Sequence, residues 1–309
     1  MRISVVVTTF RRGWALRYSL GSLVDQIRSP DEVLIVLKPS GDGSEEVIRS
    51  FEDKLPIRVI YQSSGGNVVD AAELGIKNAK GDIVLFLDDD AIAPRDWISK
   101  YEELFNKLND AGGISGVGKY AYLKGNEVIL IQEQRPETYP TKTTNWFHRK
   151  PLPEYTDYCE WVTISGIPVS AGNKCHGDLI KSARLRGANM GFRRNLLLDC
   201  PVSSLYRHSK KGFLYEPLLA YCVRRKGYHT YKALNLFVWH IQNINSLTRD
   251  HGFWHDFWIH YDKVANYWRY KKLGAKVSLT AYLVSLMALA RKGVIPRLMA
   301  TIYGLIVKT

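Results

Sequence analysis

Three consecutive carboxylates, Asp88-Asp89-Asp90, follow the apolar run Ile83-Val84-Leu85-Phe86-Leu87 in a chain of 309 residues. Like charges this close disfavour one another, so such a triplet is costly unless a cation sits among them. Hard divalent ions, Mn²⁺ or Mg²⁺, take carboxylate oxygens and often share them with substrate phosphates. The chemistry implied is metal-assisted handling of a phosphate-bearing substrate. A second explanation needs no metal. Acids at the start of a helix beginning near Pro94 would be favoured there by capping and by the helix dipole. Taken alone, the triplet leaves both open.

The elements that must position these acids are legible over the first 110 residues, where apolar periodicity alternates between that of strands and that of helices. That alternation predicts βαβ units with a parallel sheet. Strands are expected at 3–8, 32–37, 57–61 and 83–87. Between them lie a helix carrying Leu16, Leu20, Leu23, Val24 and Ile27, a helix over 44–51, and one over 67–79 capped by Asn67. Trp97, Ile98, Tyr101, Leu104, Phe105 and Leu108 mark another helix. From Gly112 the pattern turns Gly-rich and aromatic, with strands at 114–120 and 128–133. A long irregular region runs to Arg184, followed by a helix over 216–226 and strands at 228–234 and 238–240. Everything beyond Arg249 reads as helical.

Composition is that of a globular protein, 46% hydrophobic and 24% charged, but the net charge is +13. From Lys263 to the end there are nine Lys or Arg and no Asp or Glu. Cys159, Cys175, Cys200 and Cys222 show no CxxC spacing, so neither a zinc site nor a disulfide framework is expected, and scattered thiols fit a reducing compartment. The opening residues read as a strand rather than a signal peptide. The longest apolar stretch, 277–290, falls short of the roughly 20 residues a spanning helix needs.

In order and motif the chain resembles the family-two glycosyltransferases, which have the GT-A fold and use nucleotide-activated sugars. Val5-Val6-Val7-Thr8-Thr9-Phe10-Arg11-Arg12 with Leu20, Ser22, Leu23 and Gln26 looks like the family's first strand and helix. Asp31 to Val36 looks like its second strand, and 81–90 with Pro94 and Trp97 looks like the DxD region. Gly187-Ala188-Asn189-Met190-Gly191-Phe192-Arg193-Arg194 is similar to the family's second diagnostic stretch. The resemblance covers roughly residues 1–240. It implies an α/β fold, a GT-A-like, Rossmann-type, mostly parallel sheet flanked by helices, with a C-terminal helical extension. It implies a catalytic domain over 1–249, split into a nucleotide-binding half (1–110) and an acceptor half (111–249).

The site implied by the resemblance follows. Asp90 would hold Mn²⁺ or Mg²⁺, with His240 as a further ligand or a structural residue. The donor would be met by Thr8, Phe10, Arg12, Asp88, Asp89 and Asn189. Glu216 would deprotonate the acceptor hydroxyl in an inverting transfer; otherwise it is a helix-start acid favoured by the dipole. Departures stand beside the matches. Leu37 occupies the place of an Asp that grips the base, leaving Asp42 as a stand-in or a turn residue. Ala72-Glu73 replaces an Arg-Asn pair, leaving Asp70 as a nucleoside contact. Pro217, Leu218 and Leu219 replace a polar continuation.

Residues 250–309 read as a basic amphipathic tail, with Trp254, Phe257, Trp258, Tyr261, Ala265 and Trp268 at helical spacing. That aromatic helix is expected to dock on the catalytic domain. The acid-free apolar segments 278–290 and 294–307 are expected to lie on anionic lipid at the cytoplasmic membrane face, which would suit a lipid-linked or polysaccharide acceptor, or else to form a helical subdomain or an oligomer interface. Two other functions compete. One is a catalytically inactive carbohydrate-binding relative; the other is a nucleic-acid binder, which the lack of any recognised module argues against. A sugar-phosphate nucleotidyltransferase would need a Gly-rich loop after strand one, and 8–13 holds one Gly.

Overall fold

A computed structural model describes residues 1–125, 127–134, 149–170, 175, 177–242, 252–290 and 295–307. Strands β1 (Ile3–Thr9), β2 (Glu32–Leu37), β3 (Ile57–Tyr61) and β4 (Ile83–Asp88) form the parallel order β3-β2-β1-β4. Their near-continuous apolar runs fit strands covered on both faces. Because side chains alternate across a strand, Val5, Val7, Val33, Ile35, Leu85 and Leu87 point to one side. There they meet Leu16, Leu20 and Leu23 of α1 (Gly13–Val24) and Trp97, Ile98 and Tyr101 of α4 (Trp97–Lys107). Val6, Leu34, Val36, Val84 and Phe86 point to the other. They pack on Val69, Ala72 and Ile76 of α3 (Val68–Asn78) and on Leu218 and Leu219 of α6 (Glu216–Arg225). A short α2 (Ser44–Arg49) completes the first face.

Beyond β4 the sheet becomes mixed. β11 (Asn189–Arg193) runs antiparallel between β4 and β6 (Ala111–Lys124), and β12 (His229–Ile241) runs parallel to β6. The segments expected separately at 228–234 and 238–240 are thus one strand with a register shift. Two-residue β5 (Ala91–Ile92) pairs with β12, and β7 (Glu127–Gln134) makes a hairpin with β6. The irregular region contains short strands β8 (Glu160–Val162), β9 (Pro168–Ser170) and β10 (Leu179–Lys181). Residues 135–148, 171–174 and 176 of it lie outside the described residues. α1 ends at Val24, so Ile27 sits on the surface instead of extending the buried stripe.

The cysteines correct the expectation drawn from their spacing. Cys159 is bonded to Cys175 and Cys200 to Cys222, with Cα separations of 5.8 and 6.0 Å. The partners lie 16 and 22 residues apart and meet only because the chain folds back, Cys222 arriving on α6. No local spacing could announce this, and the thiol argument for a reducing compartment loses its basis.

The C-terminal helices are α7 (Phe253–Lys272), α8 (Leu279–Ala290) and α9 (Ile295–Ile306), with α5 (Val202–Leu205) preceding α6. α7 docks on the catalytic domain. Its Asp262 and Arg269, both fully buried, pair at 2.6 Å. Asp262 also accepts from Ser209 Oγ and the Phe213 N–H, each at 2.8 Å. Arg269 donates to the Leu205 carbonyl and lies 3.5 Å over the Tyr206 ring. Tyr270, Leu273 and Ala275 belong to the same core as α3 and α6. The C-terminal end of α7 thus shares a core with the helices of the catalytic domain.

Candidate active site

Ligands of open α/β sheets bind beyond the C-terminal strand ends, and β4 delivers its acids there. Asp88 ends β4 in register with Thr8 of β1, and the chain passes at once into β5. The β5–β12 pairing sets Ala91 opposite His240, and the Ile241 N–H donates to the Asp90 carbonyl at 2.8 Å. His240 Nε2 is thereby placed 3.1 Å from Asp90 Oδ1 and 3.7 Å from Asp88 Oδ2. One ligand atom from each of Asp88, Asp90 and His240 falls within 4.8 Å of the others. Arg12, just after β1, closes the other side, with Nη1 3.0 Å from Asp89 Oδ1 and 2.5 Å from Asp90 Oδ2. The helix-cap explanation fails: α4 starts at Trp97, Asp96 occupies its cap position, and β5 intervenes.

Burial raises the Asp89 carboxyl to about 7; Arg12 opposes the rise, and Asp90 and Asp88 add to it. Burial likewise raises Asp90, against the pull of His240 and Arg12. Among the described residues, the buried Asp90 Oδ1 accepts no hydrogen bond. A buried carboxylate oxygen left without a donor, facing an imidazole nitrogen and a second carboxylate, is a donor set that fits Mn²⁺ or Mg²⁺.

A cleft of about 380 Å³ opens beside these acids, lined by Thr8, Phe10, Arg12, Lys38, Asn67, Asp88, Asp89, Lys210 and Lys211 among others. Lys38 lies 4.8 Å over the Phe10 ring. Three lysines and an arginine around one cleft suit a polyanionic ligand. Lys38, Lys210 and Lys211 escape prediction from sequence. Their only signal is basicity, and tertiary folding alone brings the 205–215 loop to the strand ends. A larger cleft, about 480 Å³, lies at the start of β4 around Asp82, Arg193 and Arg194, far from the acidic triplet.

Glu216 opens α6 with Pro217 behind it, a combination suited to a first helical turn. Its carboxylate occupies the space a side chain at Gly187 would need: a Cβ there would meet Oε1 at 2.9 Å. Burial, reinforced by Asp88 and opposed by the Gly187 N–H and Arg186, raises this carboxyl to about 7. The bare Gly187 backbone thus receives the carboxylate. Two non-glycine residues with left-handed backbone flank the site, Arg11 (φ 57°) before Arg12 and Leu214 (φ 65°) shortly before Glu216. Such conformations persist only where surroundings enforce them, and they gather at functional sites.

Three expected contacts are engaged elsewhere. Asn189 is fully buried; its Oδ1 accepts from Trp97 Nε1 (2.8 Å) and Tyr101 OH (2.9 Å), and its Nδ2 donates to the Val117 and Leu236 carbonyls. It locks α4, β6, β11 and β12 together instead of meeting a donor. Asp70 closes the capping box of α3 with Asn67 and accepts from Ser203 Oγ. Asp42 accepts from the Gly13 N–H and from the Ser40 and Ser44 hydroxyls; against the effect of burial, these bonds hold it below the usual carboxylate range. It ties the β2–α2 turn to the start of α1. Leu37 is wholly buried.

Fold and site together define an α/β domain with a candidate cation site and a basic cleft over its strand ends. Residues 4–162, just over half the chain, match the family described as Glycosyl transferase family 2, and the chain belongs to that family. It is 28% identical over 163 residues to a validoxylamine A glucosyltransferase of Streptomyces hygroscopicus subsp. limoneus, covering 50% of this chain and 36% of that protein. It is 36% identical over 105 residues to a hyaluronan synthase of Pasteurella multocida, covering 32% of this chain and 10% of that one. The chain therefore spans little more than a third, at most, of these relatives' lengths. Among solved structures, a mannosyltransferase of Pyrobaculum calidifontis in complex with GDP-Man and Mn²⁺ aligns with a TM-score of 0.55 at 15% identity. The alignment covers 99% of this chain and 79% of that one. S. aureus TarS 1-349 in complex with UDP-GlcNAc aligns at 0.54 and 15%, covering 99% and 80%. At such identity these matches establish the fold, a GT-A-type sheet flanked by helices.

Proposed function

We propose that the chain transfers a sugar, with inversion, from a nucleotide-sugar donor to a hydroxyl of a glycan or lipid-linked acceptor. The observation that carries this reading is the meeting of Asp88, Asp90 and His240 on one side of the basic cleft, with Glu216 close enough for Asp88 to raise its proton affinity. Asp88, Asp90 and His240 would hold Mn²⁺ or Mg²⁺. When bound, the ion supplies positive charge against the charge developing on the diphosphate leaving group. Arg12 neutralises Asp89 and Asp90, and the lysines of the cleft hold the diphosphate. Glu216 takes the acceptor's proton as the acceptor oxygen bonds to the anomeric carbon and the bond to the diphosphate breaks. Complexes of structural neighbours with UDP-GlcNAc and with GDP-Man plus Mn²⁺ support the donor class and the ion. The hyaluronan and chondroitin synthases among the relatives support a glycan acceptor.

The test is a thermal-shift screen of UDP- and GDP-sugars with and without Mn²⁺. One donor should stabilise the wild type only when the ion is present, and Asp90→Asn should lose that stabilisation while keeping its unliganded melting point within a few degrees. If no donor stabilises the wild type with Mn²⁺, the reading fails.

A further inference from the structure

We propose that the outer face of α8 and α9 docks on an anionic lipid surface, in the plane of the membrane. An ordinary amphipathic helix turns its large apolar side chains inward. α9 turns Tyr303 in, onto Phe257 and Tyr261, but sets most of its large apolar side chains outward. Pro296, Ala300, Thr301 and Gly304 face the protein, and Gly304 approaches α7 so closely that a Cβ would lie 2.7 Å from Val264 Cγ1. Ile295, Leu298, Met299, Ile302, Leu305 and Ile306 face outward, with Ile295 71% and Ile306 73% exposed. α8 buries Tyr282 and Leu286 and also presents large apolar side chains outward. Tyr282 stacks on Tyr267 at 4.2 Å with Ala281 and Ser285 also buried, while Leu279, Leu283 and Met287 stand outside at four-residue spacing. His260 bonds Thr301 at 3.0 Å, and Val264 meets Gly304, so α7 and α9 run parallel. Trp254, 62% exposed, then falls at the end where Ile295 begins, and tryptophan favours the membrane–water boundary. Contiguous exposed apolar surface of this kind marks an interaction site.

Charge selects the occupant. No Asp or Glu follows Asp262 in sequence, whereas Lys271, Lys272 and Lys276 are exposed where α7 passes into α8, and Arg297 is partly exposed on α9. Arg269 adds nothing outward, being buried on Asp262. A second copy of this chain would bring the same lysines with no carboxylate on α8 or α9 to meet them, Asp256 lying at the opposite end of α7 from the lysines, and like charges across an interface are penalised. Anionic headgroups complement the lysines, and acyl chains take the apolar side chains. Crossing is not required. Each helix has 12 residues, about 18 Å against a hydrocarbon core of about 30 Å. Among the described residues no helix is long and apolar enough to span.

The test is co-sedimentation of the full chain with phosphatidylcholine vesicles, with and without phosphatidylglycerol, a readout independent of sugar transfer. Retention should be at least about tenfold tighter on the anionic vesicles and should weaken with added salt. Leu298→Ser/Ile302→Ser should lose about tenfold or more with an unchanged far-UV spectrum. Lys271→Glu/Lys272→Glu/Lys276→Glu, altering only exposed side chains, should erase the preference for anionic lipid. Equal retention on both vesicles, or none on either, overturns the proposal. So does a concentration-dependent dimer in light scattering that Leu298→Ser/Ile302→Ser dissolves.

Discussion

Burial against the Gly187 backbone, in the field of Asp88, raises the Glu216 carboxyl from an ordinary value near 4.5 to about 7. A base with such a value works near neutrality, so kcat/KM should rise with pH along an acid limb near 7 that Glu216→Gln abolishes with transfer itself. The same shift has a thermodynamic sign. An acid whose proton is held more tightly when folded favours the folded state fully below the unfolded value, and that advantage is lost as pH rises through the folded value. Between about pH 4.5 and 7 the wild type should therefore lose stability relative to Glu216→Gln, which carries no charge to bury. Above pH 7 the variant should be the more stable by about 1–3 kcal/mol, read from denaturant unfolding at pH 5 and pH 8. A wild type that stays level with Glu216→Gln from pH 5 to 8 would remove the buried-base assignment. At this scale the acidic triplet is legible in sequence, because an apolar run fixes where a strand ends and so where its acids emerge. Asn189 and Asp70 are not, because their side chains are claimed by neighbours that sequence does not reveal, Trp97 and Tyr101 for the one and Ser203 for the other, whereas Asp42 takes the turn role that is one of its two readings.

The element on which the proposed catalysis rests is the loop from Leu205 to Tyr215, which brings Lys210 and Lys211 to the cleft and hands the chain to Glu216. It is held from outside the sheet, by the Asp262–Arg269 pair of α7, and from within by Asn67, whose Nδ2 donates to the Ser209 carbonyl. Removing one member of a fully buried pair leaves an uncompensated charge, a loss of about 3–5 kcal/mol. Arg269→Met should show that loss in urea unfolding. The double variant Asp262→Asn/Arg269→Met should recover at least about 1 kcal/mol of it, because the neutral amide introduced at position 262 can still accept from the Phe213 N–H through its carbonyl oxygen. If the double variant is the sum of its parts, the clamp is not ionic. The elements of five or more residues from β1 to α4 have clear periodicity and are readable from sequence because each satisfies its own pattern. β5 and β8 to β10, of two or three residues, are too short for any period. They form because partners already in place offer them hydrogen bonds, as β12 does for β5.

Over the whole molecule, the 46% hydrophobic content and the +13 charge are divided between a core that α7 joins and a surface that concentrates lysine near the last helices. Composition changes at 249/250, yet a basic helix can still bury one face, as α7 does. Tyr270 and Leu273, on and just beyond α7, complete the core beneath α3 and α6, each worth about 1.5–3 kcal/mol when buried. Asp262 and Arg269 add the clamp. Tyr270 and Leu273 alone come to about 3–6 kcal/mol, a large part of the 5–15 kcal/mol by which a typical domain is stable. A chain ended after residue 249 should therefore fail to give a cooperative thermal transition, and should leave the Ser209 hydroxyl and the Phe213 N–H without the carboxylate that receives them. Far-UV and near-UV circular dichroism of the two lengths decides the matter. A truncated chain that melts cooperatively and still responds to a donor with Mn²⁺ would support the two-domain division and make α7 an accessory. A truncated chain without fixed tertiary structure makes α7 part of the catalytic domain, so that the lipid-facing helices are joined to the helix that holds the base-bearing loop in place.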